Sequence, residues 1–163
     1  MKTLKNIKYF LVCFIFIVLE MTLGKYLAVS GTVPMLSFCL CLAISTQEDN
    51  ANYIIAVSVV MGVLFDLLSG HGFGPYTVTF LLSSWVTYNI RNNIFSSKII
   101  FLIFDTLILS ILFSVLYYLF NILNVGIKFW LMLKSIAAPT AFYNAIVVVI
   151  IYWILKITIY KRR

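Results

Sequence analysis

The feature that most constrains this chain is the almost unbroken apolar run from Ile99 to Leu123, in which Asp105 is the only charged residue. A helix needs about 20 mainly apolar residues to cross the hydrocarbon of a bilayer, so this run predicts a transmembrane helix. The whole chain has the same character, with 63% hydrophobic and 10% charged residues, whereas soluble domains have about 45–50% and about 25%. We therefore expect an integral membrane protein without a separate soluble domain.

Five further apolar segments predict an all-α, polytopic membrane helical bundle of six transmembrane helices in one domain, residues 1–163. The predicted spans are 9–29, 32–45, 52–69, 76–90, 99–123 and 130–160. The second is short and begins near Pro34, and if it were only re-entrant the chain would cross five times. The first resembles a cleavable signal peptide, but Glu20 interrupts it and more spans follow, so we expect a retained helix. The last exceeds one crossing, so we expect an interfacial segment before Pro139.

The basic residues are distributed unequally between the two predicted faces of the membrane. With a cytoplasmic N-terminus, the cytoplasmic face carries Lys2, Lys5, Lys8, Arg91, Lys98, Lys156, Lys161, Arg162 and Arg163, and the opposite face carries Lys25, Lys128 and Lys134. This bias follows the positive-inside rule and predicts that both termini are cytoplasmic. Basic clusters at the ends of spans meet anionic lipid, so the formal charge of +7 does not call for a nucleic-acid partner.

The sequence lacks the residue patterns of a metal, cofactor or catalytic site. His71 is the only histidine, and Cys13, Cys39 and Cys41 lie inside apolar runs, where they are best interpreted as small buried side chains. There is no aspartate cluster suited to two metals and no nucleophile with a nearby base. We expect no cofactor and no enzymatic activity.

Three acidic residues, Glu20, Asp66 and Asp105, lie within or at the edge of predicted spans. A carboxylate in hydrocarbon costs a few kcal/mol even on the most permissive scales, so each must pair, face the protein interior or be neutral. A structural ion pair with Lys25 is expected for Glu20. For Asp105, a link to Lys98 or Arg91 is possible.

Asp66 has the most informative surroundings. It shares one helix face with Ser58, Gly62 and Ser69, and small residues on such a face permit close approach of another helix. The glycine-rich segment 70–75 follows at once and predicts a tight turn. No strand precedes it and no Lys-Ser/Thr follows, so a phosphate-binding loop is a weak interpretation. Two roles stay open for Asp66: a cap that pins the turn, or a group that handles a ligand or a proton.

Two later segments carry polar residues at helical spacing. Thr106, Ser110, Ser114, Tyr117 and Asn121 form a stripe on the fifth helix, which either packs against other helices or lines a substrate path. In the last helix Pro139 predicts a kink, and Thr140 and Asn144 lie on one face. These residues favour a tightly packed helix junction.

The segment GVLFDLLSG at residues 62–70, followed by Gly74-Pro75-Tyr76, resembles the G-x-x-x-D-x-x-S-G … G segment of the rod shape-determining MreD family. The stretch PTAFYNA at residues 139–145 resembles the P-T-x-x-N stretch of that family's last helix, although here three residues and not two separate Thr140 from Asn144. Phe65 departs from the pattern, since a polar residue such as Gln is expected before the aspartate. The residues that match the family are assigned to packing or partner docking: Gly62, Asp66, Ser69, Gly70, Gly74, Pro139 and Asn144.

The resemblance implies a scaffold subunit of the bacterial cell-elongation (rod shape) complex in the cytoplasmic membrane. It implies binding to the single-span protein MreC, together with indirect contact with the MreB cytoskeleton and with the peptidoglycan polymerase and transpeptidase. It also implies a bundle similar to the substrate-binding subunits of energy-coupling-factor transporters. That similarity leaves a vitamin-like transport subunit as the alternative function, and such a subunit should retain its ligand through purification.

Overall fold

The computed structural model describes residues 2–24, 26, 32–69, 74–91, 97–120 and 129–158. Across these residues the chain forms six helices, which confirms the predicted all-α bundle. They are α1 (Lys2–Leu23), α2 (Leu36–Gln47), α3 (Ala51–Ser69), α4 (Pro75–Ile90), α5 (Lys98–Phe120) and α6 (Phe129–Thr158). Within the described part, α3, α5 and α6 are long and apolar enough to cross a membrane, while α2 is a shorter apolar helix.

Helix α2 lies at the centre of the bundle. Every residue from Ser37 to Thr46 is buried, and each of the other five helices contacts it. Its 12 residues rise only about 18 Å, whereas the hydrocarbon of a bilayer is about 30 Å thick. The second predicted span is therefore a helix that begins and ends within the depth of the bundle and is surrounded by protein.

An aromatic cluster fills the space where α2, α3, α4 and α5 meet. It contains Phe38, Phe65, Tyr76, Phe80 and Phe113, whose neighbouring ring centroids lie 4.6–6.3 Å apart. Tilted and edge-to-face arrangements of this kind add specific attraction to the packing. The cluster fixes four helices around a common centre.

The outer faces of the helices are apolar as well. Leu68 on α3, Ile108 on α5 and Ile146 on α6 are 58%, 63% and 64% exposed, respectively. In water, such a surface would be unfavourable over most of a bundle, but in lipid it is the surface that a spanning helix needs.

Helix α6 changes its winding just before Pro139. Residues Leu133–Ala137 are π-helical, and the Ala138 N–H bonds to the Leu133 carbonyl, five residues earlier. Proline carries no N–H and its ring clashes with the carbonyl four residues before it, which a widened turn relieves. The 30 residues of α6 span about 45 Å, so part of this helix extends beyond the hydrocarbon even at tilts of about 40°.

Candidate functional site

Gly62 marks a point of very close approach between α3 and α4. A Cβ atom at this position would overlap the Thr77 Cα atom and lie only 2.9 Å from the Thr77 nitrogen. A side chain of any other residue would therefore force the two backbones apart. The absence of that side chain brings the first turn of α4 within reach of the α3 residue one turn further on, which is Asp66.

The Asp66 carboxylate caps the N-terminus of α4. Its Oδ2 atom accepts hydrogen bonds from the Gly74 and Thr77 N–H groups at 3.0 and 3.1 Å, and its Oδ1 atom accepts one from the Tyr76 N–H at 3.0 Å. The Thr77 hydroxyl also donates to Oδ2. Asp66 itself is buried, with 2% of its surface exposed. The sequence was compatible with two roles for Asp66, a helix cap or a group that handles a ligand or a proton. These contacts are those of a helix cap.

Helix α4 needs this cap because its own first residues cannot supply one. Its N-cap residue, Gly74, has no side-chain acceptor, and Pro75 follows at the first helical position. The first N–H groups of a helix have no intrahelical partner and normally bond to an N-cap side chain. The acid from α3 replaces that side chain and meets the positive end of the helix dipole.

The remaining family-like residues of this region lie close to the cap. Gly74 has φ +119°, a conformation that L side chains rarely adopt, so glycine is required where the turn enters α4. The Ser69 hydroxyl donates to the Asp66 carbonyl at 3.3 Å. Gly70 lies outside the described residues. The structure thus brings Gly62, Asp66, Ser69 and Gly74 together at one end of the α3–α4 pair.

The N-terminus of α2 is capped from two other helices. Its N-cap residue, Met35, makes no side-chain cap. The Glu20 carboxylate of α1 accepts from the Ser37 N–H at 2.7 Å, and the Asn144 amide oxygen of α6 accepts from the Met35 N–H at 2.9 Å. Glu20 is buried. Lys25, the residue with which an ion pair was expected, lies outside the described residues.

Asn144 joins three helices and is fully buried. Besides accepting from Met35, its amide nitrogen donates to the Ser110 hydroxyl of α5 at 3.1 Å. Pro139, the other family-like residue of α6, lies five residues before Asn144 and just after the π-helical turn. Both residues lie on a different helix from Asp66, and Asn144 is the one that links α6 to α2 and α5.

The C-terminus of α2 is held by Arg91 at the end of α4. The guanidinium donates to the Ser45 carbonyl at 3.1 Å and to the Glu48 carbonyl, and it forms an ion pair with Asp49 at 3.1 Å. Arg91 is itself buried. A cation at this end complements the negative end of the helix dipole.

Asp105 takes a partner that the sequence reasoning missed. Its carboxylate accepts from the Thr87 hydroxyl of α4 at 2.6 Å, while Arg91, one of the two cations considered for it, bonds to the end of α2. Thr87 and Thr77 are the cross-helix donors that the sequence analysis did not single out. No local pattern identifies them, because their role as donors depends on which neighbouring helix carries a buried acid.

The polar stripe of α5 is used mainly for packing in its described part. Thr106 and Ser110 are buried, and Thr106 donates to the Leu102 carbonyl at 2.6 Å. Ser114 donates to the Ser110 carbonyl at 3.0 Å. The Tyr117 side chain and Asn121 lie outside the described residues. Within the described part, hydroxyls that bond to their own helix or to Asn144 favour the helix-packing interpretation over a substrate path.

The cross-helix geometry around Gly62 and Asp66 gives a physical reason for the G-x-x-x-D spacing, since both residues act on Thr77. The family model described as rod shape-determining protein MreD matches residues 2–162, nearly the whole chain. The chain belongs to the MreD family. No curated protein sequence and no solved structure matches it. Membership confirms the resemblance seen in the motifs and assigns a role in determining rod shape.

The departure from the MreD pattern at Phe65 has a structural counterpart. The Phe65 ring lies 4.6 Å from the Tyr76 ring and 6.0 Å from the Phe80 ring, both on α4. Here the residue before the aspartate contributes to the aromatic cluster. A polar pair with Asp66 is therefore not part of this chain's α3–α4 contact.

Proposed function

We propose that this MreD-family protein is a non-catalytic scaffold subunit of the cell-elongation machinery in the bacterial cytoplasmic membrane. It docks an MreC-like single-span protein and, through it, supports the MreB cytoskeleton and the peptidoglycan polymerase and transpeptidase. Both termini face the cytoplasm, as the distribution of Lys and Arg indicates. Membership of the family implies the role in rod shape. The proposal adds that the protein acts by holding a partner protein in place.

The observation that carries the scaffold proposal is that the buried acids accept hydrogen bonds from neighbouring helices. Both carboxylate oxygens of Asp66 accept from the first residues of α4, Glu20 accepts from α2, and Asp105 accepts from Thr87 of α4. Each carboxylate therefore fixes one helix against another. A catalytic or proton-carrying Asp66 would need an oxygen directed towards a ligand or a water path, but both of its oxygens accept hydrogen bonds from the first residues of α4. The arrangement supports a frame that holds helices at defined positions.

A rigid α3–α4 pair offers a surface on which a partner helix can pack. Leu67 and Leu68 of α3 and Val78, Leu82 and Trp85 of α4 are exposed. Helices associate in lipid through close packing, because apolar contact with lipid is equally favourable. The orientation of α3 relative to α4 then determines whether the two outer faces fit a partner, and Gly62 and Asp66 set that orientation.

The test is co-purification of a tagged chain with the MreC-like protein from bacterial membranes. We expect Asp66→Ala and Gly62→Leu to lower the amount of captured partner at least severalfold, because both separate α4 from α3. Lys156→Gln, which changes an exposed residue of α6, is the control and should leave capture unchanged.

A second pair of variants separates docking from folding. Leu68→Trp changes an exposed residue of α3, and Ile108→Trp makes the same kind of change on α5, so neither disturbs the interior. If the partner packs on the α3–α4 surface, Leu68→Trp lowers capture and Ile108→Trp does not. Unchanged capture in Leu68→Trp would exclude the α3–α4 surface as the docking site, and unchanged capture in Asp66→Ala and Gly62→Leu would show that these two residues serve internal packing alone.

A further inference from the structure

A cleft of about 220 Å³ lies between α5 and α6, away from the Asp66 cap. It is lined by Ile111 of α5 and by Trp130, Leu133, Lys134 and Ala138 of α6. Four of these five residues are apolar or aromatic, and Lys134 is the charged one among the described residues of the lining. The cleft is open on the outer side of the bundle, where Trp130 is 75% exposed.

The charged residue of the cleft belongs to the π-helical part of α6. Lys134 is the second residue of the turn Leu133–Ala137, and its side chain is exposed. A bound molecule therefore meets one cation at the edge of the cleft and apolar side chains along the rest of it.

Lys134 lies near the N-terminal end of α6. This helix has 30 residues and rises about 45 Å, so it extends beyond the roughly 30 Å of hydrocarbon. Trp130, one turn before Lys134, is 75% exposed and has the amphipathic ring that is enriched at the membrane–water interface. This end of α6 therefore suits the depth of the lipid headgroups.

We propose that this cleft binds one anionic phospholipid of the surrounding bilayer. Its phosphate contacts Lys134 at the edge of the cleft, and one acyl chain lies along Ile111, Leu133 and Ala138. The charge complementarity between a single cation and an anionic headgroup selects this lipid over a zwitterionic one. The inference is independent of the docking of a protein partner.

A second cleft serves as an internal comparison. It has about 180 Å³, lies between α3 and α4, and is lined by Ala51, Ile54, Ile55, Trp85, Tyr88 and Asn89. It has a similar volume and also contains a tryptophan, but none of its described lining residues is charged. It should therefore accept lipid chains without preference for the headgroup.

The experiment measures lipid binding to the purified protein by native mass spectrometry, with phosphatidylglycerol and phosphatidylcholine of identical acyl chains. We expect phosphatidylglycerol to bind about fivefold more tightly, the effect of one lysine near a lipid surface. Lys134→Gln should abolish the preference, whereas Lys134→Arg should keep it. Ala138→Leu, which fills the apolar part of the cleft, should weaken binding of the tightly held phosphatidylglycerol.

The matched control is Lys156→Gln, because Lys156 lies on the same helix and its Nζ atom is 5.1 Å from the Trp153 ring. It removes the same charge next to a tryptophan but outside the cleft, and it should leave the preference intact. Equal loss in Lys134→Gln and Lys156→Gln, or no preference in the unmodified protein, would overturn the proposal. Competition by free glycerol phosphate as strong as by the lipid would show a phosphate site and would also overturn it.

Discussion

Helices α2 and α5 solve the same problem, burial of a polar backbone in an apolar environment, in opposite ways. Helix α5 has 23 residues and turns one face outwards, so its length has to match the bilayer. Helix α2 has 12 residues and is buried on every side. A helix that touches only protein can be short, provided that protein groups satisfy its two ends.

The ends of α2 show how that condition is met. Glu20 and Asn144 accept from the first N–H groups, and Arg91 donates to carbonyls at the other end. An acid at the N-terminus and a base at the C-terminus also match the helix dipole. The shortest of the six described helices is thus the one most dependent on the rest of the fold, and the following variants test that dependence.

The largest contrast is expected from apolar truncations on the two helices. Leu42 of α2 is fully buried, so Leu42→Ala should lower the free energy of unfolding by about 2–5 kcal/mol through lost contacts and a cavity. Ile108 of α5 is 63% exposed, and Ile108→Ala should change it by less than about 0.5 kcal/mol. Equilibrium unfolding in mixed micelles measures both. Equal losses would mean that α2 is not the core of the bundle.

The next largest effect is expected at the C-terminal end of α2. Arg91→Ala removes a buried charged donor from the Ser45 and Glu48 carbonyls, and we expect a loss of about 2–3 kcal/mol in the free energy of unfolding. Arg91→Lys retains the charge but not the planar fork of donors, so it should recover only part of that stability. Full recovery with lysine would show that the charge, and not the hydrogen-bond geometry, holds this end.

The two helices also differ in how far the sequence predicts them. The apolar run of α5 is long enough to specify a helix and its approximate ends, and the predicted 99–123 lies close to Lys98–Phe120. Helix α2 is apolar all round, so its length and central place depend on neighbours far along the chain. The contacts of Glu20 with Ser37 and of Asn144 with Met35 are tertiary and leave no local pattern.

Around Asp66 the sequence was more informative, because the Gly62-to-Asp66 spacing and the following glycines are local signals. The partner residue Thr77 could not be predicted in the same way, since a threonine in an apolar helix is common and its donor role depends on the crossing of α3 and α4. The resemblance to the MreD family supplied the biological role, which no contact within one chain encodes.

At the N-terminal end of α2, the chemistry of residue 20 should matter more than its charge. Glu20→Ala leaves the buried Ser37 N–H without an acceptor, and we expect a loss of about 1–3 kcal/mol in unfolding free energy. Glu20→Gln keeps an acceptor oxygen and should cost less than about 1 kcal/mol. Thermal unfolding of the two variants in the same detergent measures the difference. An equally large loss with glutamine would indicate that the carboxylate has a further role.

The smallest effects on the free energy of unfolding are expected on α5, where two serines of the polar stripe make different hydrogen bonds. Ser110 accepts from the Asn144 amide, so Ser110→Ala leaves a buried donor unpaired and should cost about 1–2 kcal/mol. Ser114 donates only within its own helix among the bonds described, and Ser114→Ala should change stability by less than about 0.5 kcal/mol because such intrahelical bonds contribute little. If Ser114→Ala were the more damaging, the stripe would have to face a ligand or a partner instead of α6. The comparison therefore decides whether polar residues on a long helix act, like those around α2, by joining helices together.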